Sequence, residues 1–112
     1  MRIAIPVTEG KLSAHFGHCE QFAIFDADID SKEIKSQQLV TPPPHEPGLL
    51  PEWLSELSVE LVITSGMGRR AQQLFKQSNV KVLVGAPVDS PENLISSYLN
   101  KTLQTGDNIC DH

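Results

Sequence analysis

The stretch HFGHC, residues 15–19, brings two imidazoles and a thiol within five positions of one another. His15, His18 and Cys19 stand at i, i+3 and i+4, so their side chains converge if the loop forms a helical turn. Neutral imidazole nitrogen and thiolate sulfur are ligands for borderline and soft metals. The spacing is compatible with a metal site, but the signal is weaker than a paired CxxC motif, because no second matching cluster completes a tetrahedral ligand set. The alternative interpretation is the polar entrance to a strand, with a capping histidine and a small buried thiol behind it.

A second stretch, TSGMGRR at 64–70, has the pattern of a strand end, a glycine turn and a helix start. Gly66 and Gly68 let the backbone approach a ligand closely, and the N–H groups of a helix N-terminus attract anions. Arg69 adds positive charge and Met67 a soft sulfur. The stretch lacks the spacing of a phosphate-binding P-loop and the third glycine of a dinucleotide-binding turn. The alternative is a turn that needs its glycines for steric reasons only.

Catalytic arrangements of the same residues are not favoured. His15 and His18 are too close to Cys19 in sequence to orient like the base of a cysteine protease, and no third orienting group is evident. A two-metal nuclease needs clustered carboxylates, and the first apolar run, RIAIPV at 2–7, carries none. His45, within PPPHEPG, is interpreted as a solvated loop residue. We therefore predict no catalytic residues.

Length, charge and cysteine usage narrow the function classes further. A chain of 112 residues fits one domain. With 9 Lys and Arg against 14 Asp and Glu, and no basic run, a nucleic-acid partner is not expected. The first apolar run is too short for a secretion signal or a membrane span. Two cysteines far apart in sequence do not make the disulfide framework of a secreted domain. The expected location is the cytoplasm.

Apolar patterns predict the elements that must position these stretches. Alternating or wholly apolar runs predict five strands, at 2–7, 21–28, 33–40, 61–64 and 80–85. Helical spacing predicts three helices, at 50–57, 69–77 and 91–103. The order is that of an α/β single domain with a mixed five-stranded sheet, in which only the second strand is antiparallel.

This topology gathers the candidate residues at one edge. The carboxyl ends of parallel strands meet at one edge of the sheet, where α/β folds bind ligands. We call this the ligand edge. Four loops are expected there, at 8–20, 41–50, 65–68 and 85–90.

The carboxyl-terminal residues are expected to lie outside that edge. The domain is placed at 1–103, followed by a flexible tail at 104–112. A helix over 91–103 runs about 20 Å away from the ligand edge. Cys110 and His112, in the tail, are therefore not expected to act as ligands within the same chain.

Taken together, five segments resemble the dinitrogenase iron–molybdenum cofactor biosynthesis family, the NifX-like domain that is also found at the carboxyl end of NifB proteins. They are MRIAIPV, HFGHCEQFAIFD, HEPGLLPEWL, VELVITSGMGRRAQQLF and VKVLVG. The resemblance runs from Met1 to about Leu103. It implies a ribonuclease-H-like fold and the binding or carriage of iron–molybdenum cofactor or a related metal–sulfur cluster. The radical-enzyme cysteine motif of full-length NifB-type proteins is absent, so that activity is not carried over.

The resemblance also ranks the residues of the first loop. The histidine of the family's HFG motif, a candidate cluster ligand in cofactor-carrying relatives, falls on His15, which we predict as the principal ligand. Cys19 is the second metal-ligand candidate, because a thiolate suits a soft metal, while His18 remains solvated. Phe16 is expected to anchor the loop in the core, and Gly17 to let the backbone turn sharply behind His15.

The complete hypothesis is a non-catalytic carrier for an iron–molybdenum cofactor or another iron- or molybdenum-containing sulfur cluster. The predicted cofactor-binding residues are those of the HFG motif and of the glycine turn: His15, Phe16, Gly17, Gly66, Met67, Gly68 and Arg69. Proteins that donate or accept the cluster are the expected partners. The alternative is a regulatory or interaction module whose glycine turn binds a small anion or no ligand.

Overall fold

A mixed sheet and three helices make up the fold, which the computed structural model describes over residues 1–13, 20–43 and 49–106. The elements in chain order are β1 (Arg2–Thr8), β2 (Lys11–Leu12), β3 (Gln21–Asp28), β4 (Glu33–Val40), α1 (Leu49–Glu56), β5 (Leu61–Ile63), α2 (Arg69–Gln77), β6 (Lys81–Leu83) and α3 (Pro91–Leu99). The sheet order is β4-β3-β1-β5-β6, with β2 paired to β1.

The predicted strand directions are confirmed. β1 is parallel to β5, and β5 to β6, whereas β3 is antiparallel to both of its neighbours. β2 is an addition to the five predicted strands. It forms because Glu9 (φ 53°) and Gly10 (φ 81°) both adopt positive φ, the conformation of a two-residue hairpin turn. The first part of the predicted loop at 8–20 is therefore a short hairpin.

Helices cover the central strands on both faces. Ile3, Ile5 and Phe25 pack with α3 on one face of the sheet. On the other face Ala4 and Phe22 pack in one cluster with residues of α1 and α2. Two-sided burial explains why the central strands are almost continuously apolar. β4 is exposed along nearly its whole length, which confirms the predicted edge strand.

The three helices have 8, 9 and 9 residues. In the described part of the chain, no helix is long and apolar enough to cross a membrane. The start of α3 is as predicted: the Ser90 hydroxyl accepts a hydrogen bond from the Asn93 N–H at 3.3 Å, and Pro91 occupies the first turn.

The predicted end of the last helix, at residue 103, is wrong. α3 ends at Leu99 because Lys101 adopts a left-handed conformation, with φ 60°. The Thr102 N–H then donates to the Ser97 carbonyl at 2.8 Å and the Lys101 N–H to the Tyr98 carbonyl at 3.1 Å, the pattern of a Schellman cap. The chain turns back here instead of continuing away from the ligand edge.

The residues after this cap return to the sheet. Leu103 packs against the core on the α3 face. The Gly106 N–H donates to the Gly85 carbonyl, just past the end of β6, at 2.7 Å. The expectation that the chain runs away from the ligand edge is therefore wrong for the residues up to Gly106. Residues 107–112 of the predicted tail lie outside the described residues.

Candidate functional site

The parallel strands and β4 end at one level of the sheet. Pro6 of β1 is paired with Phe22 of β3, and Phe22 with Val40, the last residue of β4. Extending the β1–β5 register by two residues places Thr64, just after β5, level with Pro6. The segments that follow β4 and β5 therefore leave the sheet at the same edge, as the predicted topology requires.

Both ends of the first candidate loop are fixed at this edge. The Ser13 N–H donates to the Pro6 carbonyl at 2.8 Å, and the Glu20 N–H donates to the Val7 carbonyl at 3.0 Å. The two anchors lie on opposite sides of β1, since β2 and β3 pair with its two different edges. The loop residues themselves, which include His15, Phe16, Gly17, His18 and Cys19, lie outside the described residues, as does His45.

The glycine turn at 66–68 is anchored by the side chain of Met67, which is buried in the core. Met67 is only 1% exposed and belongs to the same core cluster as Phe22 and Phe75. Its carbonyl accepts a hydrogen bond from the Gln72 side-chain amide at 2.9 Å. The Met67 sulfur therefore lies in the core rather than at the surface, where it would meet a ligand. In this arrangement Met67 anchors the turn.

Gly68 is exposed and caps α2 without a side-chain hydrogen bond. Its φ of −63° and ψ of 156° are open to any residue, and no heavy atom of the described residues lies within 4 Å of the position a Cβ would take. Neither backbone strain nor crowding requires glycine here. The space at the start of α2 is therefore open, and the first-turn N–H groups and helix dipole of such a terminus favour an anion.

Two buried hydroxyl groups lie directly after β5, and a third lies at the end of β1. The Thr64 hydroxyl donates to the Gly66 carbonyl at 3.3 Å, and the Ser65 hydroxyl to the Ala86 carbonyl at 2.5 Å. The Thr8 hydroxyl oxygen, at the end of β1, is inaccessible to solvent and has no hydrogen-bond partner among the described residues. A buried polar atom of this kind calls for a partner. Sequence reasoning missed these residues, although small hydroxyl side chains directly after apolar strands were a usable signal.

The loop after β6 is joined to the loop after β5 by backbone hydrogen bonds. The Gly85 N–H donates to the Ser65 carbonyl at 3.0 Å, and the Ala86 N–H to the Thr64 carbonyl at 3.2 Å. With the Ser65 hydroxyl bond, these contacts make the two loops one unit. Gly106, bonded to Gly85, is part of the same unit.

Asp89 links this unit to β2 and to α3. Its carbonyl accepts a hydrogen bond from the Leu12 N–H at 3.0 Å. Its carboxylate accepts from the Asn93 side-chain amide and the Ser90 N–H, and these bonds, the Asn93 bond first, lower the pKa of Asp89 from its usual value. The negative charge of Asp89 is thus bound to the start of α3.

All the imidazoles and thiols of the chain fall in three segments, 14–19, 44–48 and 107–112, which contain His15, His18, Cys19, His45, Cys110 and His112. The described residues contain no group of three or more His, Cys, Asp or Glu side chains that could hold a metal ion. Any imidazole or thiolate ligand therefore comes from these segments. Each segment joins the described structure near the ligand edge. The first begins after Ser13 and ends before Glu20, the second follows β4, and the third follows Gly106.

Comparison with known proteins identifies the family of this site. A family model described as dinitrogenase iron-molybdenum cofactor matches residues 1–101. The chain belongs to this family. The predicted membership is thereby confirmed, and membership associates the protein with the binding or biosynthesis of iron–molybdenum cofactor, as a cofactor-binding or carrier type of domain.

Individual relatives share both length and fold. Uncharacterized protein MJ0580 of Methanocaldococcus jannaschii is 32% identical over 109 residues, which cover 93% of this chain and 90% of that protein. The crystal structure of PH0822 matches with a TM-score of 0.86 and 28% identity over 94% of each chain. The apo orange protein of Desulfovibrio gigas matches with a TM-score of 0.75 and 16% identity, over 96% of this chain and 93% of that one. At that identity the likeness shows the fold alone.

Proposed function

We propose that this protein binds and carries an iron–molybdenum cofactor or a related metal–sulfur cluster as cargo, without catalysing a reaction. His15 is the principal metal ligand and Cys19 the second, and the turn at 66–69 receives the negative charge of the cluster. The observation that carries the proposal is the open, uncapped start of α2 at Gly68, at the same edge as both anchored ends of the loop 14–19.

The electrostatics of the turn suit an anionic cargo. A helix N-terminus carries a partial positive charge of roughly half a unit, and its first N–H groups have no acceptor within the helix. Arg69 and Arg70, both exposed, add two full positive charges at the start of α2. The chain as a whole has a net charge of −5. A cationic turn in an acidic protein is a local feature that favours an anion at this place.

The supply of soft ligands supports carriage of an assembled cluster. Two cysteines cannot provide the four thiolates with which a single chain holds a common iron–sulfur cluster. A cluster that arrives with its own sulfide bridges needs only one or two protein ligands. Donor and acceptor proteins for the cluster are the partners that this function requires.

Binding of tetrathiomolybdate, a small anionic molybdenum–sulfur species, tests the proposal. Anaerobic titration followed by visible absorption should show saturable binding to the parent chain. His15→Ala should weaken binding by about tenfold or more, which corresponds to about 1.4 kcal/mol. Cys19→Ser should weaken it less, and His18→Ala should match the parent. Circular dichroism confirms that each variant is folded.

Two comparisons separate cluster carriage from the binding of a small anion. Molybdate has the charge of tetrathiomolybdate but offers oxygen instead of sulfur. A simple anion module would bind both species equally and would keep its affinity in His15→Ala. Arg69→Ala should reduce tetrathiomolybdate affinity more at low salt than at high salt, because part of the attraction is screened. Unchanged binding in all three loop variants would contradict the ligand assignment.

A further inference from the structure

The edge strand β4 is protected against further strand pairing over only half of its length. Its first half carries an ion pair between Lys35 and Glu33, at 3.7 Å, and a shift in register opposite Asp26 and Ala27. Charges and bulges are the usual features that stop an edge strand from adding another strand. Residues 36–40 have neither, because their register with β3 is regular and their side chains are uncharged. This half of β4 can therefore accept a further strand.

The backbone groups of β4 that face outward belong to Gln37 and Leu39. The Ala27 N–H donates to the Met1 carbonyl, in register with the β1–β3 pairing, so the odd-numbered residues of β3 bond to β1. Hydrogen bonding alternates between the two sides of a strand, so the even-numbered residues of β3 bond to β4, where they pair with even-numbered residues of 36–40. Gln37 and Leu39 therefore present their N–H and carbonyl groups on the side of β4 where the described sheet has no further strand.

A groove with a volume of about 530 Å³ lies beside this half of β4 and is lined in part by Phe25 and Leu39. Leu39 is on the α3 face of the sheet, because its partner across the strands is Ala23, which belongs to the core cluster on that face. The Leu39 side chain is 61% exposed, the largest value among the big apolar side chains of the described residues. The groove thus has an exposed apolar side chain at its outer side, on the edge strand.

The charge of the groove is of one sign. Among the described residues that line it, the charged ones are Glu9, Glu20 and Glu92, all exposed, and none of them forms an ion pair within the described structure. The Glu20 carboxylate accepts a hydrogen bond from the Glu9 N–H at 2.8 Å, which fixes its position at the end of β1. Three carboxylates favour a cationic occupant. A second copy of this chain would instead bring the same three carboxylates to the same edge.

We propose that residues 36–40 of β4 and the adjoining groove, together the docking surface, bind an extended basic segment of a partner protein, which adds to the sheet as a strand beside β4. Gln37 and Leu39 supply the backbone hydrogen bonds of this strand addition. A lysine or arginine of the segment lays its apolar stem over Leu39 and directs its charged end to the carboxylates of the groove. The inference goes beyond the proposed function, because this docking requires no cluster.

Binding of a short synthetic peptide of alternating lysine and valine tests the docking surface. Fluorescence anisotropy of the labelled peptide should show saturable binding, and the corresponding peptide of glutamate and valine should not bind. The Gln37 and Leu39 amides should exchange with solvent slowly only when the peptide is present, as measured by NMR. The Gln38 amide, which faces β3, should exchange slowly in both states.

Two changes to the backbone test strand addition. Gln37→Pro removes one outward N–H and keeps the bonds to β3, because proline is tolerated on the open side of an edge strand. It should weaken peptide binding by about tenfold, while Gln37→Ala should bind like the parent, and circular dichroism confirms that both are folded. On the peptide, N-methylation of alternate residues should abolish binding for one set and not for the other, since a strand bonds to its neighbour through every second residue.

Charge variants test the groove. Glu20→Gln and Glu92→Gln should each weaken peptide binding by about two- to fivefold, the range of exposed ion pairs, and more at low salt than at high salt. Glu56→Gln removes the same charge from α1, on the other face of the sheet, and should have no effect. An equal effect of all three variants would mean that the peptide responds only to net charge, and the inference would be wrong.

Three other results would also overturn the inference: unchanged binding in Gln37→Pro, equal binding of both methylated peptides, or no protection of the outward amides. A protein that light scattering shows to be a dimer, and that Gln37→Pro makes monomeric, would replace the basic partner by a second copy of the chain. Tetrathiomolybdate titration without peptide tests the proposed function separately. Either proposal can therefore fail while the other stands.

Discussion

At the amino end of the parallel strands Arg2 donates two hydrogen bonds to Asp26, at 3.1 and 3.0 Å, and a third to the Leu57 carbonyl at 2.7 Å. At the carboxyl end, backbone N–H groups and buried hydroxyls join the loops after β5 and β6. At the amino end, the charged side chains of Arg2 and Asp26 bind one another. Among the described residues, the second end is held together by backbone and hydroxyl groups, and the arginines at the start of α2 add positive charge there.

This difference separates stability from binding. Because the amino end is closed by an ion pair, changes there should alter the free energy of unfolding and leave ligand affinity unchanged. The carboxyl end is built from backbone contacts around an open helix start. A change at the helix start can therefore alter affinity while the fold persists, whereas a change that breaks the backbone contacts lowers stability. The predictions below test this separation in order of decreasing effect.

Gly85→Ala should have the largest effect on stability. The substituted residue would hold a left-handed conformation, which costs about 1–2 kcal/mol for an L-residue, and would also collide with Gly106. We expect a loss of about 2 kcal/mol or more in the free energy of unfolding, measured by urea denaturation. Gly106→Ala is the matched control, with an expected change within about 0.5 kcal/mol. Equal stabilities for the two variants would show that the terminus does not dock at residue 85.

Gly68→Asp should change stability and binding in opposite directions. An aspartate fits the extended conformation of Gly68, and its Cβ meets no described residue within 4 Å. Because aspartate is also a good N-cap, the free energy of unfolding should rise by up to about 1 kcal/mol. Its carboxylate would repel an anionic ligand, and tetrathiomolybdate affinity should fall about tenfold. Gly68→Ser, which caps without charge, separates the two contributions. A loss of stability in both variants would show that glycine is needed at this position for folding.

Ligand affinity should depend on pH through the imidazole ligand. A ligating histidine must be neutral, and an ordinary imidazole has a pKa near 6.5, so one such ligand predicts affinity about fourfold weaker at pH 6 than at pH 7.5. The pH dependence of tetrathiomolybdate binding measures this effect, and His15→Ala should abolish it. If the variant kept the same pH profile at lower affinity, a different titrating group would be responsible.

The smallest expected effect lies at the amino end. The Arg2 hydrogen bonds lower the pKa of Asp26 from its usual value, so the carboxylate stabilises the fold above its unfolded pKa of about 3.9. That contribution should be lost as the pH falls below about 4 through the lowered folded value. Asp26→Asn should flatten the acid side of the stability curve relative to Asp30→Asn, an exposed turn residue, and should leave tetrathiomolybdate affinity unchanged. Reduced affinity in Asp26→Asn would contradict the independence of the two ends.

The sequence contains enough to predict most of the fold. The apolar runs within 2–8 and at 61–63 are central strands that bury both faces. The run at 81–83 was also predicted as a strand, but it lies at the edge of the sheet and Lys81 is exposed. The two-residue strand β2 was missed, since a pair that short has no periodicity, although Gly10 between Val7 and Leu12 marks its turn. The end of α3 was also missed: Leu99 and Leu103 keep helical spacing, and the left-handed cap is formed by Lys101, where glycine is the usual signal.

The candidate site, like the fold, could be predicted from the sequence only in part. By itself the sequence determined which residue types are available, because the chemistry of imidazole, thiol and guanidinium groups is local to each side chain, and the family follows from their pattern along the chain. Only the tertiary structure decided how these groups are used. It turned Met67 into the core, left Gly68 open, and returned Gly106 to the ligand edge. The physical reason is that packing and backbone hydrogen bonds between distant segments fix where a side chain points, and neither is written in the spacing of neighbouring residues.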